Sequence, residues 1–75
     1  MPTKVSSRLL TRVGDRLREA RHRKQLSQEA VALAAGLARS YVSGIERGEF
    51  NVSLLTLSRI AKVLGVRLSL LLDGE

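Results

Sequence analysis

Between Ala38 and Arg47 the chain sets two arginines and two serines on one side of a short helix. Projected at about 100° per residue, Ala38, Val42 and Ile45 fall together, with Tyr41 at their edge. Arg39, Ser40, Ser43, Gly44 and Arg47 fall on the opposite face. Guanidinium groups donate in a planar fork, and hydroxyls both donate and accept. Short polar side chains between two arginines suit a groove lined with hydrogen-bond acceptors. The best-defined chemistry of that kind is arginine bonded to O6 and N7 of guanine in the major groove, where each pair contributes about 1–3 kcal/mol of discrimination. Arg39 also reads as a solvated charge or a phosphate contact, and Ser40 and Ser43 as plain exposed positions. Gly44 weakens a helix and is assigned no base; its smallness reads as relief from a clash with a nucleic-acid backbone.

Such a helix needs a support. Leu10, Val13, Leu17, Ala20 and Arg21 recur at helical spacing and predict a first helix ending near Lys24, capped by Ser6 or Ser7, after a loose stretch at 1–6. Ser27 is a good N-cap for a second helix, with Glu29 in its first turn and Val31, Ala34 and Ala35 pointing inward. Gly36 stops that helix, because glycine takes the positive φ a tight turn requires. The third helix starts at about Ala38 and ends before Gly48. After a loop at 48–52, Asn51 or Ser53 caps a fourth, whose stripe is Leu54, Leu57, Ile60, Ala61 and Leu64. Gly65 ends it, and 67–72 form a last, leucine-rich helix. No period-two strand pattern is present, so the class is all-α with five short helices. From Gln28 to Arg47 the spacing is that of a helix-turn-helix: Ala32 is small where the helices approach, Gly36 makes the turn, and Val42 and Ile45 anchor the third helix. An ordinary αα-hairpin is the plainer alternative.

Seventy-five residues make one domain, 1–75. With 44% apolar residues the chain can bury a small core, and self-association often assists a core of this size. Thirteen Lys and Arg against seven Asp and Glu give a net charge of +6. The excess lies in residues 1–24, where Lys4, Arg8, Arg12, Arg16, Arg18, Arg21, Arg23 and Lys24 face only Asp15 and Glu19. A basic segment favours nucleic acid or an anionic membrane. Membrane insertion is disfavoured, since the first helix has few bulky apolar residues and the chain has no tryptophan. No apolar run approaches the ~20 residues of a spanning helix, and no signal peptide is evident, so the expected location is cytoplasmic. Arg12, Arg16 and Arg23 share a face with Glu19 and read as phosphate contacts or as surface ion pairs. The absence of cysteine excludes disulfides and thiolate metal sites. His22 has no neighbouring ligand, so no metal and no cofactor is expected. Paired catalytic carboxylates and a Gly-rich phosphate loop are also missing, and Asp73 and Glu75 read as tail charges; the chain does not read as an enzyme.

The segment LSQEAVALAAGLARSYVSGIERGEFNVSLLTLSRIAKVLGV resembles the Xre/Cro-type helix-turn-helix domain, and RSYVSGIERG, Arg39 to Gly48, is especially similar to restriction–modification controllers. The resemblance covers roughly residues 10–72 and implies a five-helix bundle of the lambda-repressor-like DNA-binding type. It implies base contacts at Arg39, Ser40 and Ser43. It implies phosphate contacts at Gln28, Tyr41, Arg47 and Asn51, although Gln28 also reads as solvent-facing and Tyr41 as a packing ring. It implies an internal salt bridge between Arg21 and Glu46. Where the family often has proline, this chain has Val52, which puts the start of the fourth helix in question.

Val66, Leu68, Leu70, Leu71 and Leu72 exceed what one short helix can hide. The resemblance implies a homodimer, and Val66, Leu68 and Leu70 are the expected interface, Leu70 more interfacial than core. The expected function is a transcriptional regulator, a repressor by family resemblance, bound as a homodimer to double-stranded DNA at a pseudo-palindromic operator and acting on RNA polymerase. The alternative is an antitoxin that binds a toxin protein and represses its own operon. That reading calls for a toxin-binding tail, and only three residues are expected beyond the last helix.

Overall fold

The computed structural model describes residues 7–72. Among them are five helices and no strand: α1 (Ser7–Arg23), α2 (Gln28–Ala35), α3 (Arg39–Glu46), α4 (Leu54–Leu64) and α5 (Leu68–Leu72). The expected loose segment 1–6, a cap at Ser6, and the tail charges Asp73 and Glu75 lie outside the described residues.

The helix ends follow from local chemistry. Ser27 Oγ accepts from the Ala30 N–H at 3.0 Å and starts α2. Ser53, not Asn51, caps α4, its Oγ accepting from the Thr56 N–H at 3.1 Å. Val52 in place of proline therefore leaves the start of α4 intact; its side chain packs on the core instead. Gly36 adopts φ 73°, and the Leu37 N–H reaches back to the Ala32 carbonyl at 2.8 Å, which turns the chain sharply into α3.

Leu17, Val31, Val42, Ile45, Ile60, Leu64 and Leu71 form the centre of the core, each no more than 1% exposed. α3 packs on α2 and α1, α4 on α2, and α5 on α1 and α4. Two inward positions are corrected. Ala34 is exposed while Ala32 and Ala35 are buried, because α2 is only two turns long and presents a narrow face. Leu54 is 62% exposed, since the first turn of α4 extends past the elements that cover Leu57 and Ile60.

Candidate nucleic-acid interface

The third helix is held from behind. Val42 and Ile45 are fully buried, and Glu46 is 2% exposed. The Glu46 carboxylate accepts from Arg21 Nε at 2.6 Å and Nη2 at 3.0 Å, and from Gln28 Nε2 at 3.0 Å. Arg18 adds a charge at 3.6 Å and donates to the Glu46 carbonyl at 3.1 Å. Arg21 in turn donates to the Leu26 carbonyl at 2.9 Å, tying the α1–α2 turn to the end of α3. Burial pushes the Glu46 carboxyl up, but the hydrogen bonds from Arg21 and Gln28 and the charges of Arg21 and Arg18 outweigh it. The group titrates below its ordinary value.

The opposite face is open. Arg39, Ser40 and Arg47 are exposed, and Ser43 and Tyr41 half-buried. Arg39 reaches Gln28 Oε1 at 3.5 Å, so Gln28 stands between the buried carboxylate and the first arginine of α3. Its amide has one N–H committed to Glu46, which leaves less of it for a phosphate. Arg47 donates to both oxygens of Glu49, at 2.7 and 3.1 Å, and its remaining branch donates to Ser43 Oγ. This hydrogen bonding and the Arg47 charge hold the Glu49 carboxyl below the usual carboxylate range. Asn51 is exposed in the loop beyond.

Gly44 is not on that open face. It is buried, and a Cβ built there would run into the Phe50 ring. Phe50 also packs on Tyr41 with ring centroids 5.1 Å apart and planes tilted by 49°. The glycine makes room for an aromatic from the following loop rather than for a nucleic-acid backbone. The role of Phe50 and the contact of Arg18, which the sequence shows only as one of the basic residues of the N-terminal segment, are not legible from spacing. Their partners depend on the path of the loop and on a contact across 28 residues, and no local pattern encodes either. Arg12, Arg16, Glu19, His22 and Arg23 line a shallow depression along α1. Val66, Leu68 and Leu70 are half-buried, and Leu72 is 38% exposed. Among the described residues no cluster of acids or histidine could hold a metal, and no helix is long and apolar enough to cross a membrane.

The helix-turn-helix family matches residues 17–71, nearly the whole described bundle. The chain belongs to the Xre/Cro-type helix-turn-helix family of DNA-binding transcriptional regulators. It is 40% identical over 63 residues to the immunity repressor of Bacillus phage phi105, covering 84% of this chain and 44% of that repressor's length. Among solved structures, the restriction–modification controller C.AhdI from Aeromonas hydrophila superposes with a TM-score of 0.80 at 48% identity, covering 83% of this chain and 94% of that one. The biofilm master regulator SinR, solved in complex with DNA, gives 0.78 at 39% identity, covering 81% and 98%. In this helix-turn-helix, α2 and α3 are the paired helices and Gly36 their turn.

Proposed function

We propose that the chain binds an operator as a homodimer, inserting α3 of each copy into the major groove to control transcription. The observation that carries this reading is the division of α3 into a fully anchored back and an open face bearing Arg39, Ser40, Ser43 and Arg47. An element about to read base edges needs both, because a base contact is selective only if its backbone is fixed. Arg39, at the start of α3, would bond guanine, with Ser40 and Ser43 on neighbouring bases. Gln28, Tyr41, Arg47 and Asn51 flank them and would set the register on phosphates. Val66, Leu68 and Leu70 would join two copies, placing their α3 helices about one DNA turn apart, ~34 Å. Occupancy of the operator would then block or recruit RNA polymerase. This role needs no catalytic group or cofactor and belongs in the cytoplasm, with the DNA.

Selection of bound sequences from a random duplex pool, with wild type and Arg39→Ala in parallel at one stated salt concentration, tests this. The expected result is an enriched inverted repeat in which Arg39→Ala relaxes one base per half-site, at a loss of about 1–3 kcal/mol. Enrichment of a single half-site would remove the homodimer. Binding without sequence preference would remove the regulator mechanism altogether.

A further inference from the structure

At the C-terminal end of α3, Arg47 is held from two sides. Its Nε and Nη2 donate to the two oxygens of Glu49 at 2.7 and 3.1 Å, and Nη1 donates to Ser43 Oγ. The planar guanidinium fork fits a carboxylate and a phosphate in the same way. Glu49 thus takes, within the free chain, the two positions that phosphate oxygens would occupy. The backbone that carries it is fixed. The Glu49 N–H donates to the Gly44 carbonyl at 2.9 Å, and Phe50, the next residue, is clamped over Gly44 and against Tyr41. Both side chains of the pair are about half exposed, at 53% and 51%, so a competing anion can reach them. An exposed pair is weak in water and exchangeable.

We propose that Glu49 is an internal stand-in for a DNA phosphate at Arg47, which DNA displaces on binding, so that Glu49 sets the strength and salt dependence of binding. This rests on the reading that Arg47 contacts phosphate. When phosphate takes Arg47, Glu49 loses its partner and takes up a cation from solution, which offsets the counterion released from the phosphate. The wild-type site then adds little to affinity or to the salt slope, although Arg47 without Glu49 would add to both. The arrangement also gives Ser43 a polarity. Its oxygen accepts from Arg47, and its O–H remains free to donate to an acceptor such as N7, O6 or O4 of the major groove.

The test is a cycle of wild type, Glu49→Gln, Arg47→Ala and the double variant. Affinity is measured for the selected operator and for a random duplex between about 50 and 200 mM salt. Glu49→Gln should tighten both complexes about five- to tenfold near ~0.15 M salt and steepen the log K against log salt slope by about 0.9. Arg47→Ala should weaken both complexes little in the wild type and about five- to tenfold more in the Glu49→Gln background, and Glu49→Gln should have no effect in the Arg47→Ala background. A gain that persists in the Arg47→Ala background would mean simple charge repulsion and overturn the proposal. A loss of affinity in Glu49→Gln would overturn it too, since Glu49 would then be holding Arg47 in place within the complex. If Arg47→Ala leaves affinity unchanged even in the Glu49→Gln background, the phosphate role of Arg47 itself falls, and the comparison of the double variant with Glu49→Gln reveals it separately.

Discussion

Glu46 and Glu49 are three residues apart, and each is gripped by the fork of one arginine. Arg21 holds Glu46 at 2.6 and 3.0 Å; Arg47 holds Glu49 at 2.7 and 3.1 Å. The bond lengths barely differ. The surroundings do: the side chains are 10% and 1% exposed in the first pair, and 53% and 51% in the second. In water an ion pair exchanges one set of hydrogen bonds for another and gains little. In the core the same pair has no such alternative, so removing one partner strands the other. Geometry alone does not assign the roles. The buried pair locks the back of α3 to α1 and the α1–α2 turn, and the exposed pair sits on the open face.

The largest difference should appear in stability. Glu46→Gln places an amide against the donors of Arg21 and Gln28 and leaves Arg21, 8% exposed, without its counter-ion. It should cost about 3 kcal/mol or more in urea unfolding, a large fraction of what a domain this small possesses. Glu49→Gln should leave the unfolding midpoint where it is. Equal small shifts in the two variants would show that burial does not separate the pairs.

Acidification provides the next contrast. The folded-state pKa of Glu46 is depressed, so its contribution to stability is present above the unfolded value of about 4.3 and is lost as pH falls through the lower folded value. Urea unfolding followed from pH 7 to about pH 3 should show stability declining below about pH 4.3, with that part of the decline missing from Glu46→Gln. A wild-type and variant profile of the same shape would mean that other carboxyls carry the acid sensitivity.

The two pairs were not equally legible in the sequence. Arg21 and Glu46 were linked only through a family resemblance, and the geometry between them adds Gln28 and Arg18, whose roles no spacing rule announces. Nothing in the sequence singles out Glu49, because an acid next to a glycine in a loop reads as solvated. By contrast the caps at Ser27 and Ser53, the turn at Gly36 and the anchors Val42 and Ile45 were readable, since each depends on residues within a turn or two. Errors came where a pattern ran to the end of an element or met a distant partner. Leu54 continues the apolar period of α4 beyond its cover, and Gly44 is explained by a ring six residues on.

A smaller effect bears on the buried side. The turn that delivers the Leu26 carbonyl to Arg21 passes through Gln25 at φ 59°, a left-handed conformation held here by a residue with a Cβ. The Leu26 N–H bonds back to the Arg21 carbonyl at 3.1 Å, the same closing bond that Leu37 makes after Gly36. Left-handed backbone costs an L-residue about 1–2 kcal/mol, and glycine would remove that while adding flexibility to the unfolded chain. Gln25→Gly should therefore stabilise the fold by about 0.5 kcal/mol net, read as a higher unfolding midpoint with an unchanged urea slope. DNA affinity should stay the same, because the turn supports Arg21 and not the open face. A gain in midpoint accompanied by weaker DNA binding would mean that strain in this turn reaches α3 through Arg21 and Glu46, and that the buried pair does more than hold the scaffold.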